Sequence, residues 1–159
     1  MIEYRVNEPV LVADVIVLYR SAGLPRPIDD LERMEKIFAN SNMVVSAWAD
    51  GRVVGIARTL TDLAWSSYLA DLAVHRDFQQ SGVGRRLVEV TREAVSERSM
   101  VLLLSVPNAM EYYPRIGMEK VENGFIFNRV GIFYKSMRNY LEQNHSRRVL
   151  NLELAHRCT

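Results

Sequence analysis

Leu72-Ala73-Val74-His75-Arg76-Asp77-Phe78-Gln79-Gln80-Ser81-Gly82-Val83-Gly84-Arg85-Arg86-Leu87-Val88 joins an apolar strand end to an amphipathic helix through a polar turn holding two glycines. Such a turn suits a diphosphate. Glycines at 82 and 84 let backbone come close to a ligand, the first amides of the helix have no partner within it, and the helix dipole favours negative charge there. Arg85 and Arg86 add cations at the rim. The alternative reading of Gly82 and Gly84 is a tight strand-to-helix turn and nothing more.

Two nucleotide motifs are excluded. A P-loop needs Gly-Lys-Ser/Thr at the helix start, and Gly84 is followed by Arg85-Arg86; a dinucleotide fingerprint needs a third glycine where Leu87 stands.

Upstream, Met43–Ala49 and Arg52–Leu60 are β-rich runs joined by Asp50-Gly51, a two-residue hairpin signal. Ser66–His75 extends this meander as a third strand. Ile2–Val6 alternates like a short strand. Asn7 with Pro9 predicts a helix start, and Leu11, Val15, Leu18 and Tyr19 give that helix an apolar face closed by Gly23. Leu24–Ile28, with two prolines, is a loop. Asp29 or Asp30 caps a second helix whose stripe is Leu31, Met34, Ile37 and Phe38. After the glycine turn, Leu87, Val88, Thr91, Ala94 and Val95 face inward on a third helix. Met100–Val106 reads as a strand buried on both faces. A short irregular stretch to Gly117 precedes a final strand pair, Met118–Val121 and Phe125–Phe127, turning at Asn123-Gly124. The sum is an α+β fold of mixed layers, with a mostly antiparallel sheet of about seven strands and helices on both faces.

Composition sets the outer bounds. The 159 residues are 48% hydrophobic and 25% charged, in the globular range, and a domain of this size buries roughly 70% of its unfolded surface without a metal or disulfide. The net charge of +1 argues against a nucleic-acid partner. Cys158 has no second cysteine to pair with, and the longest apolar run, Val10–Tyr19, is interrupted by Asp14 and preceded by Glu8, so it reads as neither signal peptide nor membrane span. A cytoplasmic location is the expectation. Residues 130–159 carry a net charge of +3 against −2 for residues 1–129, which marks them as an appended extension.

Two motifs bear a family resemblance. Gln79-Gln80-Ser81-Gly82-Val83-Gly84 matches the Q/R-x-x-G-x-G/A signature of the GNAT superfamily of N-acetyltransferases, and Tyr112-Tyr113-Pro114-Arg115-Ile116-Gly117-Met118 is similar to its F-Y-x-x-x-G-F segment, with Tyr for Phe at the start and Met for Phe at the end. The resemblance covers residues 1–129 and implies an acetyl-CoA-binding domain that transfers acetyl directly to a primary amine, with a small-molecule acceptor, no nucleic acid and no membrane. It implies that Leu72, Ala73 and Val74 offer main-chain groups to the pantetheine arm. By the same resemblance, amides from Gln80 through Ser81, Gly82, Val83 and Gly84 to Arg85 hold the diphosphate beside Gln79, and Asn108 touches the pantetheine or its loop. The strands ending at Val74 and near Val106 are expected to splay apart, with Pro107 at the splay. By similarity Tyr113 protonates the leaving thiolate and the Val74 amide steadies the oxyanion.

The general base is the open question. Relatives often carry Glu or His where this chain has Tyr68 and Ala70, and strict alternation puts Asp71 on the opposite face from Tyr68 unless a bulge intervenes. Ser105 and His75 are further candidates. The simplest expectation is a proton lost to water through a chain touching Tyr68. A catalytically degenerate acyl-CoA-binding regulatory module is the competing reading. Trp48, Trp65 and Tyr68 form either an acceptor wall or ordinary core and sheet-face contacts. In residues 131–144, Ile132, Phe133, Met137, Tyr140 and Leu141 form a helical stripe, read either as a homodimer contact or as a loosely attached extension.

Overall fold

A computed structural model describes residues 1–129 of the chain. The proposed helix in 131–144 and its dimer contact, together with Cys158, lie outside the described residues. Met1–Met118 form one compact unit, and a second begins at Glu119.

The first unit runs β1 (Glu3–Val6), α1 (Val12–Ala22), α2 (Leu31–Ala39), β2 (Met43–Ala49), β3 (Arg52–Thr61), β4 (Ser66–Val74), α3 (Val83–Val95), β5 (Met100–Leu102) and a single helical turn α4 (Tyr112–Arg115); 3-10 turns occupy Arg76–Phe78 and Pro107–Ala109. The sheet order is β1-β2-β3-β4-β5, antiparallel except for the parallel pair β4/β5. The fold is α+β, with α1 and α2 on one face and α3 on the other. No helix among the described residues is long and apolar enough to cross a membrane.

Local chemistry explains most boundaries. Asp50 and Gly51 both take positive φ, 49° and 73°, as the tight hairpin requires. Asp30, the second of the two candidates, caps α2 by accepting from the Arg33 amide at 3.0 Å. The α1 start differs from expectation. Asn7 exchanges hydrogen bonds with Val44 of β2 and so pins β1 to the sheet, and the helix begins only after Leu11, which is exposed. Met34 alone of the α2 stripe is fully buried, and Leu31 faces solvent. On α3, Val83, Leu87, Val88, Thr91 and Val95 are buried as the helical period demands, with Val90 added and Ala94 half-buried.

Two expectations about strands fail. The apolar run at 100–106 pairs only over Met100–Leu102, and Met100 and Leu104 are 58% and 60% exposed, so it is not a strand buried on both faces. An apolar run marks a segment that the core can use, whereas a ladder needs a partner, and β4 supplies one for three residues. The closing pair Met118–Val121 and Phe125–Phe127 has no regular structure, and neither Asn123 nor Gly124 adopts the positive φ that a two-residue hairpin turn needs. The described sheet therefore has five strands where about seven are expected from sequence.

Candidate active site

β4 is the axis of the site. β5 covers it only at Ser66, Tyr68 and the residue between them, Ser67, so among the described residues one edge of the strand is open from Leu69 to Val74. His75 donates its amide to the Val54 carbonyl at 2.8 Å, which places the N–H and C=O of Val74, and by alternation those of Leu72, on the open edge, while those of Ala73 face β3. Gln79 folds back and donates its side-chain amide to the Val74 carbonyl at 3.0 Å, tying the loop to the strand end.

The loop then delivers the start of α3. Gln80 and Gly82 take positive φ, 61° and 87°, and a Cβ built on Gly82 would meet no atom within 4 Å. Ser81 turns its hydroxyl back to the Phe78 carbonyl, and no side chain caps the helix. The Arg86 amide is the first to find an acceptor in the helix, at the Gly82 carbonyl, so those of Val83, Gly84 and Arg85 point out unpaired among the described residues. The arginines behave differently from expectation. Arg85 donates to Glu89 at 2.8 Å and Arg86 to Glu93 at 2.9 Å, so their charges are compensated along the helix instead of standing free at the rim.

Tyr112 and Tyr113 meet edge to face with ring centroids 5.3 Å apart. Burial pushes the Tyr113 phenol above the ordinary tyrosine value; burial, with Tyr113 adding to it, does the same for Tyr112. Both are protonated at neutral pH. The Tyr112 hydroxyl lies over the first turn of α3, 2.8 Å from where a Cβ on Gly84 would stand, and Val74 is 3.5 Å from the same point. Gly84 thus makes room for a phenol. Ala at 84 alone is expected to be neutral to destabilising, because its methyl meets the hydroxyl and offsets the gain of about 1 kcal/mol from helix propensity. In a Tyr112→Phe background the same change is expected to stabilise by about 1 kcal/mol, read by urea unfolding. Equal effects in both backgrounds would refute the contact.

The register of β4 contains the largest departure from expectation. Arg58 pairs with Asp71 but Thr59 pairs with Leu69, so Ala70 is an extra residue, a β-bulge. Leu69 packs in the core under α3, whereas Asp71 faces α1; the bulge has switched faces, and Tyr68 and Asp71 share one. Asp71 is fully buried and fully engaged. Tyr19 donates to its Oδ2 at 2.8 Å, Arg58 donates its Nε to the same oxygen, and Arg26 donates its Nε to Oδ1. Burial alone would raise the Asp71 pKa, but the Arg58 bond and the charges of Arg26 and Arg58 outweigh it and hold the carboxyl below the usual range. Burial, then the Asp71 charge, drives the Tyr19 phenol well up. Such a carboxylate is a poor proton acceptor.

The other candidates are dispersed. Tyr68 is half-buried opposite Leu102 at the last residue of β4 that β5 covers. Asn108 is exposed in the 3-10 turn that starts at Pro107. Ser105 donates to the Val106 carbonyl, and His75 accepts from the Asp77 amide while its ring meets Phe78, so it caps the 3-10 turn. Trp48 lies on β2 with Arg5 stacked on it at 4.6 Å, two strands away from β4, and Trp65 is 76% exposed, so no aromatic wall forms. Arg26, Arg58 and Tyr19 escaped the sequence reading. Their signal was the lone carboxylate inside Leu-Ala-Asp-Leu-Ala-Val and the lone guanidinium inside Ile-Ala-Arg-Thr-Leu, charges that burial forces to pair.

An uncapped helix start lies beside a strand with one open edge, and the family model described as an acetyltransferase (GNAT) domain matches residues 24–141. The chain belongs to the GNAT acetyltransferase family. Among curated relatives, it is 28% identical over 102 residues to the uncharacterized N-acetyltransferase ycf52 of Pyropia yezoensis, covering 59% of this chain and 58% of that one. An uncharacterized ycf52-like N-acetyltransferase of Prochlorococcus marinus is 25% identical over 123 residues, covering 74% and 66%. The chain thus spans less than two thirds of these relatives' length. Among solved GNAT structures, a family acetyltransferase from Streptococcus pneumoniae superposes with TM-score 0.68 at 25% identity, covering 82% of this chain and 100% of that one. The aminoglycoside N-acetyltransferase AAC(6')-Iy, solved in complex with CoA, shares the fold with TM-score 0.63 at 18% identity, covering 82% and 96%.

Proposed function

We propose that this GNAT protein is an acetyl-CoA-dependent N-acetyltransferase whose acceptor is the primary amine of a small molecule, working in the cytoplasm, with residues 1–129 as its acetyl-CoA-binding domain. The observation that carries this is the uncapped start of α3 lying beside the open edge of β4. The free amides of Val83, Gly84 and Arg85, with Gln80, Ser81 and Gly82 in the turn, fit a diphosphate; Leu72 and Val74 present main-chain groups for an extended arm, with Ala73 between them, and exposed Asn108 is a further polar group for it.

Acetyl-CoA supplies a thioester whose carbonyl carbon is open to a neutral amine. The Val74 amide donates to the carbonyl oxygen as it gains charge. Tyr113, kept protonated by its burial, delivers its proton to the sulfur as the C–S bond breaks and recovers one from solvent. The proton shed by the nitrogen leaves through water beside Tyr68, since Asp71 is held by two arginines. Tyr113→Phe is expected to lower kcat about 100-fold while acetyl-CoA affinity changes by no more than about twofold; an unchanged kcat in stopped-time product assays would remove Tyr113 from the role.

The second reading, a module that binds acyl-CoA and performs no transfer, is favoured by one observation: Tyr68 and Ala70 stand where a base would be and Asp71 is unavailable as one. Titrating acetyl-CoA into a thermal melt, then assaying free thiol with a panel of amines, separates the two. A stabilised protein that never releases thiol would be the module; no stabilisation would refute both.

A further inference from the structure

The cluster around Asp71 carries a charge that does not balance. Two guanidiniums, Arg26 and Arg58, meet a single carboxylate, and the fourth member, Tyr19, is neutral. One positive charge is left over. It is held in a poorly solvated place, because the Asp71 side chain is fully buried and those of Arg58 and Arg26 are only 10% and 20% exposed. Arg26 also donates to the Pro25 carbonyl at 2.9 Å and the Ala70 carbonyl at 2.7 Å, and Arg58 donates Nη1 to Ser41 at 2.9 Å.

Its position matters more than its size. Ala70 is the bulge residue, two past the last residue of β4 that β5 covers, so Arg26 stands at the mouth of the open edge. The cradle for the diphosphate belongs to α3, on one face of the sheet; the arginine cluster is on the other, with α1 and α2. With the diphosphate cradle on the α3 side of the open edge, the arginine side is the one left for the acceptor. Apart from Asp71, which the two arginines hold, no buried carboxylate lies on that side among the described residues. The carboxylates of α1, α2 and the loop between them, Asp14, Asp29, Asp30, Glu32 and Glu35, are all exposed, where water and salt screen them.

We propose that the acceptor is an amine that also carries a carboxylate, and that this site turns away diamines and polyamines, because the surplus guanidinium charge of Arg26 and Arg58 lies where the acceptor enters. A carboxylate is drawn towards that surplus charge, and a second ammonium placed near it in a poorly screened site is repelled. The inference rests on the transferase reading above and narrows its substrate class.

The test uses the full chain and matched acceptors of equal length: 5-aminopentanoate, cadaverine and n-pentylamine, with 3-aminopropanoate and 1,3-diaminopropane as a shorter pair. Acetyl-CoA binding is measured first by thermal shift, and acceptor-dependent thiol release gives kcat/KM at low salt. The expected result is a preference of at least about tenfold for each amino acid over the matching diamine, with pentylamine between them. The ratio should fall towards one in Arg26→Gln, while Arg26→Lys should keep part of it and added salt should change it little, because the site is poorly screened. A ratio cancels any general loss from a loosened fold. Equal or better turnover of the diamines would overturn this proposal and leave the transferase intact. Thiol release with none of the five, by a protein that acetyl-CoA stabilises, would overturn the small-amine transferase reading, and this proposal with it.

Discussion

Gly82→Asp is expected to abolish the rise in melting temperature that acetyl-CoA should give the unaltered protein. A ligand at about 100 times its Kd stabilises by about 2.7 kcal/mol, which for a chain of this size corresponds to a shift of roughly 5–10 °C. Gly82 opens the turn at φ 87° and immediately precedes the three unpaired amides of α3. An aspartate there sets a negative charge at the mouth of the proposed diphosphate cradle, whose amides are positive dipole ends, and its carboxylate competes for the same amides. The free protein should be affected far less. A Cβ at this position meets nothing within 4 Å, so the cost is the left-handed backbone, about 1–2 kcal/mol, or a few degrees. The pair of melts is decisive: a variant that still gains several degrees with acetyl-CoA would place the diphosphate elsewhere, and a variant unfolded without ligand would show that the turn is structural.

Removing the charge from Asp71 is expected to be the most destabilising single change in the described fold. Asp71→Asn keeps the shape but leaves Arg26 and Arg58 facing each other with no counter-charge, in a place where neither is well solvated. Breaking a buried pair in this way costs about 3–5 kcal/mol, or roughly 10 °C. The pH dependence gives a second readout with a definite sign. The folded carboxyl lies below the ordinary range, so its contribution is complete above the unfolded value, near ~4, and is lost as the pH falls through the folded one. The gap in unfolding free energy between the two proteins, measured in urea, should be widest at pH 7 and narrow below about pH 4. A constant gap across that range would mean that the carboxylate is not the source of the effect. Tyr19→Phe removes only one neutral donor and should cost about 1–2 kcal/mol.

Much of this protein was legible from local rules. The hairpin at Asp50-Gly51, the caps at Gly23 and Asp30, the inward stripe of α3 and the glycine turn before it each depend on residues within a few positions of one another, so periodicity and turn chemistry determine them. The glycine turn also points to the ligand class, because what the helix start offers an anion is backbone.

What only the folded chain decided concerns which strand a residue meets and how many residues that meeting takes. Whether Ala70 is one residue too many cannot be seen in β4; it depends on counting against β3, and that count reverses the face on which Asp71 and Tyr68 stand. The partners of Asp71 come from positions 19, 26 and 58. The apolar run from Met100 announces a strand but not how far β4 will pair with it, and the Asn123-Gly124 signal forms no hairpin here. Sequence periodicity reports the preference of one segment for one face, whereas pairing, bulges and buried charge balance are properties of two segments at once.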